Sequence, residues 1–547
     1  MPPSSLRVVY AFAREMHPKT SDVFIEYGTA GFRTKASLLE HVVYRMGLLA
    51  VIRSRCLNGR AVGIMITASH NLEPDNGVKL VDPHGEMLEQ SWEEIATRLA
   101  NVSDNDLEAT TEAVIKEVNA DMTLKTTVYI GMDTRYTSPR LCAAAVHGVM
   151  ALKGTARELG IVTTPQLHFA VRARNDPAYG IPTEDGYYEK IVGAFKKLRQ
   201  TLPVGGNYNT TLYVDGANGV GGKKLNIIKK TLDGELDLVL HNIGGNGGKL
   251  NLNCGADFVK VSQKPPVGVP AAPFQRVASL DGDGDRLVYY YLDDKEKMHL
   301  LDGDRIAILL AGYVASLVRA AGARLRLGLV QTAYANGAST RYIEEQLKVP
   351  VTCVKTGVKH LHHAALAYDV GVYFEANGHG TVIYSRQAKD AIANIADDGG
   401  PEERKAALLL QNLIAMTNET VGDAISDLFL VETVLCARGL DARDWYAQYE
   451  DLPCRQLKVT VQDRNAIQTT DAERICTAPE GLQTRIDELT AGYDKSRAFV
   501  RPSGTEDIVR VYAEADSREA ADKLAAEVAQ AVFDLAGGVG PRPELPA

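Results

Sequence analysis

One pattern limits what this chain can fold into more than any other. Three times, an apolar run passes through a short polar or glycine-bearing turn into an amphipathic helical stretch: VYIGMD into TSPRLCAAAVHGVMALKG, TLYVDGANG into VGGKKLNIIKKTL, and RLGLVQT into STRYIEEQL. Strand, turn and helix in that order build βαβ units on parallel or mixed sheets. No fixed period repeats, so a solenoid is excluded. At 547 residues the chain exceeds a single hydrophobic core. The last stretch differs: SRAFVRPSGTEDIVRVYAEA predicts two strands around a polar loop, followed by an Ala-rich helix with Ser517 as N-cap. The fold class is therefore α/β, with three mixed-sheet α/β domains and a smaller C-terminal α+β domain. Soft boundaries at 176–186, near Leu300 and at 443–455 divide it into 1–180, 181–299, 300–442 and 443–547. GGNGGKLNLNCG, residues 244–255, predicts a long surface loop within the second domain.

Composition excludes several classes. A net charge of −9 disfavours a nucleic-acid partner, which clustered Lys and Arg would hold. The seven cysteines are scattered and never at C-x-x-C spacing, as expected of reduced thiols in the cytoplasm and not of a disulfide framework or a zinc site. The apolar N-terminal stretch is broken by Arg14 and Glu15, and the longest apolar run, 306–318, is too short to span a bilayer. No membrane association is expected; the sequence leaves monomer or dimer open.

Four motifs can carry chemistry. Ser69 lies in GIMITASHNLEPDNGVKLVD, where a buried strand runs into a polar loop. Open α/β sheets handle ligands at such strand ends. His70 adjoins it, but neighbouring side chains on an extended segment point to opposite faces, so a Ser–His nucleophile–base pair is poorly supported. In RVASLDGDGDRL, Asp281, Asp283 and Asp285 alternate with glycines, so their carboxylates can converge on one hard cation such as Mg²⁺. An EF-hand is excluded, because Arg286 and Leu292 stand where that loop needs Gly and Glu. In FVRPSGTEDIVRVY, Arg501, Ser503, Thr505 and the amides around Gly504 can cradle an anion, with Arg510 returning from the next strand. In DVGVYFEANGHGTVIY, Glu375, Asn377, Gly378 and His379 suit recognition of vicinal hydroxyls. VDGANGVGG has neither dinucleotide-binding nor P-loop spacing and predicts a tight strand-to-helix turn.

The order serine loop, acidic loop, sugar loop, phosphate loop resembles the α-D-phosphohexomutase superfamily along nearly the whole chain. TASHN with EPDNGVKLVD, EANGHGT, RPSGTED, TVGDAISD and TTPQLH are similar to its phosphoacetylglucosamine mutase branch in particular. The resemblance implies four domains around a central cleft. It also implies a phosphorylated Ser69 that joins the three aspartates at Mg²⁺, and a phosphosugar substrate. A hexose 1,6-bisphosphate would be intermediate or activator, in a reaction leading to UDP-N-acetylglucosamine. Arg33 in YGTAGFR and Lys79 in NGVK would stabilise the phosphoryl group or move protons, His70 would assist, and Arg286 with Lys359 and His360 in KTGVKHLHH would bind substrate. The family usually has Pro where this chain has Leu72, which predicts a slightly less rigid loop. Phosphoglucomutase or phosphomannomutase activity, and a non-catalytic sugar-phosphate-binding regulator, are the alternatives.

Overall fold

The computed structural model describes Tyr10 and residues 15–546, apart from 29, 203, 204, 233, 246, 271 and 504–506. The chain forms two compact units. The first comprises Met1–Asp302, Asn377–Thr381 and Leu408–Arg443; the second comprises Gly303–Ala376, Val382–Ala407 and Asp444–Ala547. The segment expected as a third domain, 300–442, is thus divided between them.

The first unit holds two five-stranded sheets. Strands β1 (Phe32–Lys35), β2 (Val62–Ile66), β3 (Asp75–Val81), β4 (Thr127–Met132) and β5 (Thr155–Ile161) lie in the order β1-β3-β2-β4-β5. β2 runs parallel to β4 and antiparallel to β3. All five residues of β2 are buried, because helices cover both faces of the sheet. Ile64 and Ile66 pack in the cluster shared with the helices Glu40–Cys56 and Ser138–Ala151, while Met65 packs with Leu167 and Val171 of the helix Thr164–Asn175. That last helix opens on a capping box: Thr163 Oγ1 accepts from Gln166 N and Gln166 Oε1 accepts from Thr163 N.

The second sheet has β6 (Thr211–Asp215), β7 (Asp237–His241), β8 (Val277–Leu280), β9 (Leu287–Leu292) and β10 (Met298–Leu301) in the order β10-β9-β8-β6-β7. The helix Ala424–Arg438 joins this unit through buried charge. Its Glu432 receives Arg276 Nη2 at 2.8 Å and Tyr208 Oη at 2.9 Å, and Asp423 at its N-cap receives Tyr187 Oη at 2.8 Å.

The second unit is built on β11 (Leu327–Thr332), β12 (Val351–Val354), β13 (Val370–Phe374) and β14 (Gly380–Tyr384), in the order β12-β11-β13-β14; the chain passes between the units within β14. The C-terminal part adds β15 (Cys454–Thr460), the hairpin β16 (Gln468–Thr470) and β17 (Ile475–Ala478), then β18 (Arg497–Pro502) and β19 (Ile508–Glu514). β19 lies between β15 and β18. One face of that sheet, with Val459, Val500, Val509 and Val511, packs against the helix Arg518–Leu535, whose N-cap Ser517 accepts from Ala520 N as expected. The strand–loop–strand–helix order read from the last stretch is what forms. Among the described residues no helix is long and apolar enough to cross a membrane, and none of the seven cysteines is bridged.

Candidate active site

Ser69 follows β2 by three residues and is fully buried with a left-handed φ of +50°. A serine rarely adopts this conformation unless its surroundings impose it. Here they do. Ser69 N donates to Thr67 Oγ1, and Thr67 Oγ1 donates to Asp133 Oδ2. The Ser69 carbonyl accepts from Asn251 Nδ2 at 2.8 Å and from Arg135 Nη2 at 3.3 Å, and the same two side chains hold the Asn71 carbonyl. Arg135 is itself buried and paired with Asp133. The result is an Oγ that donates to Asp281 Oδ2 at 2.7 Å.

Asp281, Asp283 and Asp285 form a buried group with one oxygen from each within 4.8 Å of the others. Their loop is pinned on several sides: Val220 N donates to Gly282 O, Thr164 N to Asp283 O and Ala424 N to Gly284 O. The glycine-rich turn after β6 therefore supports the acidic loop. A Cβ on Gly219 would lie 2.3 Å from Gly282 O, so only glycine permits this approach. Thr164 Oγ1 donates to Asp283 Oδ2 at 2.6 Å, and Lys79 Nζ lies 3.2 Å from Asp283 and 3.3 Å from Asp285.

These carboxylates fit a divalent cation. Asp283 Oδ1 and Asp285 Oδ1 are buried with no hydrogen-bond partner, an expensive state unless a cation takes those lone pairs. Burial, then the charges of Asp285 and Asp283, hold the Asp281 carboxyl well above the usual range. Burial acts upward on Asp285 too, but Lys79 and His379 outweigh it and hold Asp285 well below that range. The same centre thus holds one carboxyl above and another below the usual range, the division expected of like charges crowded together.

The cations around Ser69 are also placed. Arg33, on the edge strand β1, donates from Nη1 to Asn71 Oδ1 at 3.3 Å, and its Nε has no hydrogen-bond partner. Burial and then Arg286 lower its pKa, yet a guanidinium stays charged. Burial, then Arg286 and Arg33, push the His70 imidazole down to about 2, so it is a neutral ring. Arg286 lies 3.5 Å from Asp257. His379 Nδ1 lies 3.5 Å from Asp285 Oδ1, and its amide is turned by Asn377 Oδ1. Between them Gly378, at φ +86°, accepts from Leu287 N; a Cβ there would lie 1.9 Å from Leu287 O. The first unit thus brings together Ser69, His70, Arg33, Lys79, the three aspartates, Arg286, Asn377, Gly378 and His379.

The remaining expected residues belong to the second unit. Lys359 and His360 are half-buried in the first turn of the helix Val358–Ala365, and Glu375 follows β13. Arg501 and Arg510 are cross-strand partners on β18 and β19. Lys458 on β15 is the next partner of Arg510, so three basic residues form one row across the sheet. Like charges directly opposite each other destabilise a sheet, and an anion relieves them. Ser503 is buried at the end of β18, where its N donates to Ile508 O. Gly504 and Thr505 lie outside the described residues.

Sequence reading did not find Asn251, Thr164, Arg135 or Lys458 as members of these sites. Asn251 lies in 244–255, expected as a surface loop, yet Leu250 and Cys254 are buried and Asn251 reaches the Ser69 carbonyl. For Lys458 a signal existed: β15 ends a basic, alternating run, CRQLKVT, but its register with β19 is a property of the folded sheet.

A serine at a strand end, bonded into three convergent carboxylates, belongs to phosphoryl-transfer chemistry, and the domains that bear it are of the phosphohexomutase class. Residues 43–106 and 99–182 match the model for phosphoglucomutase/phosphomannomutase α/β/α domain I, and 457–531 match that for its C-terminal domain. The middle of the chain is more particular: 177–288 and 302–440 match domains II and III of phosphoacetylglucosamine mutase AMG1. The chain belongs to the phosphoacetylglucosamine mutase family. It is 52% identical over 529 residues to the Sus scrofa phosphoacetylglucosamine mutase, covering 96% of this chain and 97% of that one. The solved structure of Aspergillus fumigatus N-acetylphosphoglucosamine mutase in complex with GlcNAc-6P and magnesium superposes with a TM-score of 0.93 at 47% identity, covering 98% of this chain and 100% of that one. An alanine-for-serine variant of the same enzyme, in complex with glucose 1,6-bisphosphate, gives 0.92 at 46% identity with the same coverage.

Proposed function

We propose that this chain interconverts N-acetylglucosamine 6-phosphate and N-acetylglucosamine 1-phosphate through a phosphorylated Ser69 and a sugar 1,6-bisphosphate. The observation that carries this is the buried Ser69 Oγ, 2.7 Å from Asp281 in a carboxylate cluster with unused oxygens. The Aspergillus complexes, one with GlcNAc-6P and magnesium and one with glucose 1,6-bisphosphate, support the same substrate class and cation.

Each half-reaction breaks one P–O bond and makes another. Phosphoserine 69 gives its phosphoryl group to O1 of the 6-phosphate: the Oγ–P bond breaks, the O1–P bond forms, and the O1 proton ends on the released Ser69 Oγ. The bisphosphate turns over, and Ser69 Oγ then attacks the 6-phosphoryl group while its proton passes to Asp281 Oδ2, which already accepts it; the P–O6 bond breaks and O6 leaves as a hydroxyl carrying that proton. Bound to Asp281, Asp283, Asp285 and the Ser69 side, Mg²⁺ would supply charge neutralisation for the phosphoryl group in flight. Arg33, Lys79 and Arg286 add fixed positive charge around the same place. His70, being neutral, offers a hydrogen bond to the phosphoryl oxygens instead of a charge. Arg501, Ser503, Gly504, Thr505 and Arg510 hold the phosphate that is not reacting, and Lys359, His360, Glu375, Asn377, Gly378 and His379 orient the sugar. The four larger sheets are read as four domains with boundaries near 180, 299 and 442, and the unbridged thiols favour a reducing, cytoplasmic compartment.

Purified protein should bear a phosphate-mass adduct on Ser69 that disappears on mixing with N-acetylglucosamine 6-phosphate. Coupled assays should rank N-acetylglucosamine phosphates above glucose and mannose phosphates by about 10–200-fold in kcat/KM, the worth of apolar contacts to one small group. A preference for glucose or mannose phosphates would move the chain to the neighbouring branch. A stable adduct with no turnover of any of them would leave a sugar-phosphate-binding regulator.

A further inference from the structure

We propose that Glu473 is a gate on the phosphate site of the C-terminal sheet: its carboxylate occupies Arg501 until a substrate phosphate displaces it. The proposal rests on the reading of Arg501 and Arg510 as phosphate ligands.

The row Lys458, Arg510 and Arg501 concentrates positive charge on one face of the sheet. Glu473 Oε1 reaches this row at 3.4 Å from Arg501 Nη1. Arg501 is steadied from its other side by Tyr334, whose Oη accepts from Nε at 3.2 Å. The contact with Glu473 is long and single, so it leaves most of the guanidinium fork unused. A phosphate dianion offers more charge and the bidentate geometry that the fork prefers. The carboxylate is therefore a weaker, exchangeable occupant of an anion site.

Its placement is imposed by the backbone. Glu473 stands in the turn between β16 and β17, where Asp471, Ala472 and Glu473 have φ of +48°, +55° and +70°. Three successive non-glycine residues in the left-handed region are strained, and such strain persists where surrounding contacts impose it. Arg474 supplies some of them, donating from Nη2 to Asp471 Oδ1 at 2.7 Å and from Nε to Asp471 O at 3.1 Å. The turn spends conformational energy, and what it secures is the aim of the Glu473 carboxylate.

The other carboxylate oxygen reports on a second element. Glu473 Oε2 accepts from Thr356 Oγ1 at 2.6 Å and from Thr356 N at 3.0 Å. Thr356 lies two residues before the helix Val358–Ala365, whose first turn presents Lys359 and His360. One carboxylate thus links the phosphate arginine to the segment assigned to sugar binding. Displacing Oε1 from Arg501 leaves Oε2 able to keep Thr356, so arrival of phosphate shifts Glu473 without releasing the helix. Glu473 is on this view a positioning residue and touches no reacting atom.

The test uses the full chain, with inorganic phosphate and N-acetylglucosamine 6-phosphate as probes in calorimetry and steady-state kinetics. Glu473→Gln keeps an acceptor oxygen for Thr356 and removes the competing charge. It should bind inorganic phosphate about two- to fivefold more tightly, the range of a part-exposed ion pair, and lower KM in proportion with little change in kcat. Glu473→Ala should gain the same affinity but lose kcat, because Thr356 loses its anchor. In an Arg501→Ala background the gain from Glu473→Gln should vanish, since the two residues would act as a unit. If Arg501→Ala weakens phosphate binding but Glu473→Gln binds no more tightly than wild type, the gate is wrong and the glutamate is only a clip. If Arg501→Ala binds phosphate as wild type does, the reading of the phosphate site fails and the gate falls with it. The glutamine variant decides the matter even if the alanine variant does not fold.

Discussion

The centre around Ser69 and the basic face of the C-terminal sheet, the two places proposed to handle phosphate, are built in opposite ways. At Ser69 the polar groups are buried, and backbone, threonine, asparagine and arginine partners fix the serine and the acidic loop in place. On the C-terminal sheet a row of long basic side chains is half-buried or exposed, with Glu473 and Tyr334 as partners of Arg501. The first arrangement controls geometry to fractions of an ångström, as bond making requires. The second supplies charge and tolerates movement, as capture of a diffusing anion requires. Substitutions should therefore act on rate in one region and on affinity in the other.

The largest effect should come from Ser69→Ala. Loss of a nucleophile that acts as a unit with its neighbours should cut kcat by about 10⁴-fold or more while thermal unfolding stays close to wild type. Turnover near the wild-type rate in the alanine variant would remove the phosphoserine from the mechanism. Asp283→Ala comes next and should abolish activity at millimolar Mg²⁺, and chelation of the wild type should do the same until Mg²⁺ is restored. A readout independent of turnover is stability: Mg²⁺ at a hundred times its Kd should stabilise the wild type by about 2.7 kcal/mol and raise its Tm, and should leave Asp283→Ala unmoved. An equal Tm rise in both would show that the acidic loop is not the cation site.

Arg501→Ala should sharpen the contrast, because its first effect falls on binding. Losing a charge-assisted contact worth about 1.5–3 kcal/mol should raise KM by about 10- to 150-fold. A smaller fall in kcat should follow, since remote binding energy orients the sugar. Phosphorylation of Ser69 by a hexose bisphosphate should survive, which label retention would report separately from the mutase rate. Full affinity and full rate in this variant would overturn the assignment of the C-terminal sheet. The smallest effect belongs to Asn251→Ala, which takes one of two donors from the carbonyls of Ser69 and Asn71. With Arg135 still present, kcat should drop about tenfold, for a loss of about 1–2 kcal/mol, and KM should hardly change. A change in KM alone would mean that this loop serves binding and not alignment.

Much of this was legible in the sequence because it depends on near neighbours. The buried run GIMI ending before Ser69, the alternation of Asp with Gly at 281–285, the two strands of the last stretch and the Ser517 cap are all local patterns, and each appears in the fold where its pattern placed it. Other features have no local signature. Asn251 meets Ser69 across 182 residues of chain, Thr164 meets Asp283 across 119, and Glu473 meets Thr356 across 117. VDGANGVGG reads as a turn in either setting, and only the packed structure sets Gly219 against the acidic loop.

What the sequence by itself determined was which residues are the candidates for the chemistry and which elements present them, since side-chain type, periodicity and turn propensity act over a few residues. Only the tertiary structure decided the electrostatic state of those groups and what holds them in place. His70 is a neutral ring because it is buried beside Arg286 and Arg33. Asp281 and Asp285 move in opposite directions because Lys79 and His379 stand on one side of the cluster. Leu408–Arg443 belongs to the first unit because Glu432 and Asp423 find buried partners there. Desolvation and charge pairing depend on distance through space, and distance through space is set by how the whole chain packs.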